Sequence, residues 1–176
     1  MDSFQAKIVQ SSGGARVVVA DILRGITWEA STKWPPYNVP VACVSRKAEP
    51  FVATFCKGTR PSNVSLFDGA LLGQWSLHGG LRLGRCKWIL SESQTQRQYH
   101  LRETSLLRAV LRGVLTSENT SVVCTYREAE VARISTEAVP GLKWARGARF
   151  GPTAPDLRLL AGFSISVRLQ MEHSVA

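Results

Sequence analysis

Two groups of side chains in this sequence have the types and spacing to hold a charged ligand. Arg82, Arg85 and Lys87 fall beside Trp88, and Lys143, Arg146 and Arg149 fall beside Trp144 and Phe150. Basic residues interleaved with an aromatic can grip phosphates and stack on bases. The same combination suits an anionic bilayer, where cations meet head groups and tryptophan sits at the interface. Arg108 and Arg112 lie four residues apart and would stack into a third basic strip on a helix. The competing reading makes Trp88 and Trp144 core residues with the cations as their solvated neighbours.

Nothing in the sequence points to catalysis. There is no Gly-x-Ser-x-Gly elbow and no phosphate-cradling Walker loop. The glycines of "GGLRLG" at 79–84 have the wrong spacing for a dinucleotide turn. His78, His100 and His173 are scattered. Cys43, Cys56, Cys86 and Cys124 form no Cys-x-x-Cys pair of the kind a zinc tetrahedron needs, and read as free thiols in a reducing compartment. The expectation is a protein that is not an enzyme and needs neither cofactor nor metal. Lys plus Arg number 22 against 13 for Asp plus Glu, a net charge of +9, which favours nucleic acid, anionic lipid or an acidic protein as partner. The opening "MDSFQAKIVQ" has no apolar h-region, so no signal peptide is expected, and Asp2 stands where N-myristoylation needs glycine.

The elements that must position these residues are mostly strands. Apolar β-branched runs predict strands at 15–22, 39–45, 51–57 and 121–126. Strict alternation of Phe163, Ile165, Val167, Leu169 and Met171 predicts a half-buried strand at 163–171. One stripe, Leu107, Val110, Leu111, Val114 and Leu115, predicts an amphipathic helix at about 104–116. Residues 128–137 fit a short helix or an edge strand. The fold class expected is therefore α+β, a mostly β sheet packed with one main helix and short extra ones, in a single domain over 1–176. Proline-rich segments near 34–40 ("WPPYNVP") and 147–156 are expected as exposed loops.

The second of these loops contains Pro152, Thr153, Ala154 and Pro155. Two prolines around a small pair favour polyproline II, a backbone that another protein's groove can read at little entropic cost. The tetrapeptide is similar to the late-domain motif of viral matrix and Gag proteins. Together with small size, basic charge and strand content, it makes the chain resemble the matrix protein of a non-segmented negative-strand RNA virus, such as a rhabdovirus (plant cytorhabdoviruses included) or a bornavirus. That resemblance implies self-association, binding to anionic lipid on the inner face of host membranes, contact with the viral nucleocapsid or RNA, and recruitment of the host ESCRT-I ubiquitin-variant domain by 152–155. It also implies a place in the virion and the host cytoplasm. The alternative class is a viral nucleic-acid-binding accessory protein, a silencing suppressor or movement protein.

Overall fold

Alternation of apolar and polar residues turns more than half of the described residues into strands. The computed structural model describes residues 2–79, 85–105, 120–139 and 141–173. Its twelve strands are β1 Asp2–Ser11, β2 Gly14–Asp21, β3 Ile26–Thr32, β4 Pro40–Cys43, β5 Phe51–Thr54, β6 Ser62–Leu66, β7 Leu71–Gly79, β8 Lys87–Glu92, β9 Gln98–Glu103, β10 Thr120–Tyr126, β11 Ala129–Val139 and β12 Leu142–Arg149. They pair antiparallel in the order β3-β2-β1-β12-β11-β10-β9-β8-β7-β6-β5-β4. The first and last strands are thus neighbours, in register from Asp2↔Arg149 to Val9↔Leu142.

The sheet curls into a nearly closed barrel whose seam lies between β3 and β4. There the only bridge among the described residues is Glu29↔Val44, with both backbone hydrogen bonds at 2.9 Å. The reason is chemical. Pro35, Pro36 and Pro40 lie between and at the start of these edges, and a proline has no N–H to give a ladder.

A single described helix, α1 Leu157–His173, fills the barrel. It packs against β2, β1, β12 and β11 on one side and against β7 and β6 on the opposite side of the ring. Every side chain from 159 to 169 is buried, Ser164, Ser166 and Arg168 among them. Twelve strands enclose more room than inward side chains alone can fill, and a helix about 10–12 Å across occupies it. Phe163 meets Trp75 and Trp88 edge to face, at ring-centre distances of 6.2 and 5.3 Å. Ser164 donates to the Leu160 carbonyl at 2.7 Å, so its hydroxyl is satisfied inside the core.

The mostly β class stands, but the helix is not where the sequence suggested. The strand expected at 163–171 is the second half of α1. Its odd positions alternate only by coincidence, because a helix enclosed on all sides has no polar face to mark a 3.6-residue period. The helix expected at about 104–116 falls mainly outside the described residues; β9 ends at Glu103 before it. Of residues 128–137, Glu128 lies in the turn before β11 and 129–137 belong to that interior strand rather than to a helix or an edge. Neither proline-rich loop is simply exposed. Pro36 and Tyr37 are buried, and the Tyr37 hydroxyl donates to the Leu169 carbonyl of α1 at 3.0 Å. Residues 147–149 are the end of β12.

Candidate functional site

Strand turns alternate between the two ends of such a barrel. The turns at 22–25, 44–50 and 67–70 lie consecutively around the end where α1 begins, on either side of the seam. Each is tied by one of its own side-chain oxygens. Asp21 Oδ1 accepts from the Arg24 N–H at 3.1 Å, Ser45 Oγ from the Lys47 N–H at 3.2 Å, and Asp68 Oδ1 from the Ala70 N–H at 2.9 Å. These Asx and Ser turns set the backbone and leave the intervening side chains pointing outward.

What they present is apolar. Of the six exposed large hydrophobics among the described residues, Ile22, Leu23, Val44, Phe67 and Leu71 are on this rim, and only Val9 is elsewhere. Leu23 is 66 % exposed and Phe67 56 %. Exposed cations stand between them: Arg24 in the first turn, Arg46 and Lys47 in the second. Arg24 lies 3.9 Å from Asp21, whereas Arg46 and Lys47 have no ion pair among the described residues. Between the first two turns the seam opens into a cleft of about 570 Å³ lined by Gly25, Thr27, Glu29, Val44, Ser45, Arg46 and Lys47. Single exposed apolar residues are ordinary on a protein surface; gathered at one end, these make the rim the candidate interaction surface.

The residues expected from sequence are dispersed. β12 alternates, so Lys143 and Arg149 project inward and Arg146 outward, and the expected cluster of three does not exist as one patch. Lys143 is only 5 % exposed, with its Nζ 4.0 Å from the Trp34 ring centre. Arg149 is half-buried and pairs with Asp2 at 3.8 Å. Arg146 lies over the half-buried Trp144 ring at 4.3 Å on the outer wall. Lys87 is exposed on β8, Arg85 is half-buried just before it, and Trp88 is a core residue. Arg82, Arg108 and Arg112 fall outside the described residues.

The tetrapeptide is the lead-in to α1 rather than an exposed loop. Pro152 is exposed and Thr153 half-buried, but Ala154 and Pro155 are buried. The Thr153 carbonyl accepts the Tyr99 hydroxyl at 2.7 Å. Asp156 then caps the helix. Its carbonyl accepts from the N–H groups of Leu159 and Leu160 at 3.1 Å, and its carboxylate takes both the N–H and the guanidinium of Arg158. Burial pushes the Asp156 carboxyl up, but the Arg158 hydrogen bonds and charge, with Arg149 beyond, hold it below the usual aspartate range. The Cys43 and Cys124 thiols are pushed up to about 12 by burial, which leaves them protonated and unreactive.

Sequence reasoning missed the rim residues. The signal was available in "DILRG" and "LFDGALL", where large apolar residues sit inside turns marked by Asp and Gly. Such residues belong to neither wall of a sheet. Comparison of the chain with protein-family models, curated proteins and solved structures finds no match.

Proposed function

We propose that this protein attaches peripherally to anionic membrane surfaces through the rim formed by the turns at 22–25, 44–50 and 67–70. The observation that carries the reading is the gathering of Ile22, Leu23, Phe67 and Leu71 with Arg46 and Lys47 at one end of a rigid barrel. Apolar tips enter the acyl boundary while the cations meet phosphate and carboxylate head groups. Transferring a half-exposed side chain of this size is favourable by roughly 1 kcal/mol, and each engaged cation adds about 1 kcal/mol. Four tips give about 4 kcal/mol, to which Arg46 and Lys47 add and which the exposed Glu49 and Asp68 of the same turns oppose, so the attachment is reversible. The outer wall carries Lys7, Arg16, Arg102, Arg133 and Arg146, so it faces water rather than lipid tails.

This supports the membrane half of the matrix-protein resemblance, with the inner leaflet as the surface bound. Self-association and nucleocapsid contact enter the proposal from the resemblance alone. Late-domain recruitment has less support, because a groove would need Ala154 and Pro155, which are buried. The nucleic-acid reading is favoured by one observation, the outward Arg146–Trp144 stack. Co-sedimentation with vesicles containing phosphatidylserine, beside neutral vesicles and an RNA gel shift, separates the two. Wild type should pellet with anionic vesicles at about 0.1 M salt and release as the Debye length shortens. Leu23→Asp with Phe67→Asp should stay in the supernatant. Equal pelleting of wild type and variant, or an RNA shift without vesicle binding, defeats the proposal.

A further inference from the structure

A second feature lies on a different wall. On the outer face of β7–β10 lies a groove of about 440 Å³ whose lining includes His78, Lys87, Ile89, His100, Arg102 and Glu128. Lys87 and Arg102 are direct partners across the β8–β9 ladder, and both are exposed. Side chains opposite one another in an antiparallel pair start about 5 Å apart, and like charges there repel. Neither has an acidic partner among the described residues. The one carboxylate among the groove's described residues, Glu128, sits at its other end in the β10–β11 turn, held there by left-handed backbone at Arg127 (φ 50°) and Glu128 (φ 68°).

From these we infer that the groove binds a nucleoside phosphate. Its phosphate lies against Lys87 and Arg102, which turns their repulsion into two charge-assisted hydrogen-bonding sites. His78 borders that end, as does Val123, the β10 partner of Arg102. Its ring system lies along Ile89 and His100, partners in the next row of the ladder, with N–H or O–H groups toward Glu128. The step from the Arg102 row to the His100 row is about 7 Å at 3.4 Å per residue, enough to separate a phosphate from a ribose or base. A free nucleotide fits better than a strand of nucleic acid. Among its described residues the groove has no exposed aromatic on which successive bases stack, since Trp88 is 1 % exposed and faces inward.

The inference is independent of membrane attachment, because the groove shares no residue with the rim. Isothermal titration of the full chain in phosphate-free buffer tests it, with ADP, GDP, inorganic pyrophosphate and a mixed-sequence single-stranded RNA as probes. A nucleoside diphosphate should bind at one site, and more tightly than pyrophosphate. Lys87→Gln with Arg102→Gln should weaken it about tenfold or more, with an unliganded thermal midpoint equal to or above wild type because the repulsion is gone. Should the double variant fold poorly, Arg102→Gln alone carries the same expectation. Glu128→Gln should narrow the preference for the nucleoside diphosphate over pyrophosphate. The inference is overturned if neither nucleoside diphosphate binds, if the charge variants bind as wild type does, or if only the RNA binds.

Discussion

The Trp75 indole donates its N–H to Ser166 Oγ at 2.7 Å, joining the wall of the barrel to the middle of the helix inside it. Both residues are buried, and they are 91 positions apart. This polar contact fixes how far α1 has slid along the barrel and how it is turned, which apolar packing alone constrains less. A solvent-facing Ser166, as the strand reading of 163–171 required, would accept Ser166→Asp without loss. The observed position reverses that expectation. Ser166→Ala should destabilise by roughly 1–3 kcal/mol, because the indole N–H is left without an acceptor. Ser166→Asp should prevent folding, since it buries an unpaired charge. Urea unfolding followed by tryptophan fluorescence reads both, and a wild-type midpoint for Ser166→Asp would show that α1 is not inside the barrel.

Gly147 stands where β12 passes under Phe4 of the neighbouring strand. A Cβ there would lie 2.2 Å from Phe4 Cε1, and Phe4 is 1 % exposed with nowhere to move. Gly147→Ala should therefore cost about 1–3 kcal/mol through overpacking, even though alanine suits a strand no worse than glycine. Combining it with Phe4→Leu should recover part of the loss. Thermal unfolding of the single and double variants checks this, and an additive double variant would separate the two sites.

The Asp156 carboxyl is held below its ordinary value in the folded state by Arg158 and Arg149, against the opposing effect of burial. A depressed folded-state value means that the unfolded chain binds the proton more tightly. The stabilisation is complete above the unfolded aspartate value of about 3.9 and is lost as pH falls through the folded value. Asp156→Asn keeps a helix-capping side chain but removes the charge. Relative to wild type it should be less stable at pH 7, and the difference should vanish once the pH has fallen below the folded-state value. Chemical denaturation at the two pH values measures the difference; a gap of the same size at both would mean that capping geometry, not charge, accounts for it.

Some of the strands were legible because one face meets the core and the other meets water. Residues 15–22, 51–57 and 121–126 show this: the structure has β2 and β10 at the first and last, and β5 over Phe51–Thr54 of the second. β1 was overlooked although Phe4, Ala6 and Ile8 alternate inward, because Ala6 contributes little apolar contrast. The threaded helix was illegible for a deeper reason. A period can be read only where polarity changes around an element, and 159–169 is enclosed on every side. The basic cluster at Lys143, Arg146 and Arg149 failed differently. Its members were grouped by nearness in sequence, whereas a strand sends positions 143 and 149 to one face and 146 to the other. The rim depends on which turns become neighbours when the sheet closes, and strand order supplies that information, not local sequence.

Membrane attachment by the rim is tested most directly by depth. In a Cys56→Ser background, an environment-sensitive fluorophore can be placed at Leu23→Cys, Phe67→Cys and, on the exposed outer wall, Arg133→Cys. With vesicles containing phosphatidylserine, emission at positions 23 and 67 should shift to the blue while position 133 stays as in buffer. Neutral vesicles should produce little change at any of the three. An unchanged spectrum at 23 and 67, or a shift at 133 in their place, would contradict attachment through this rim.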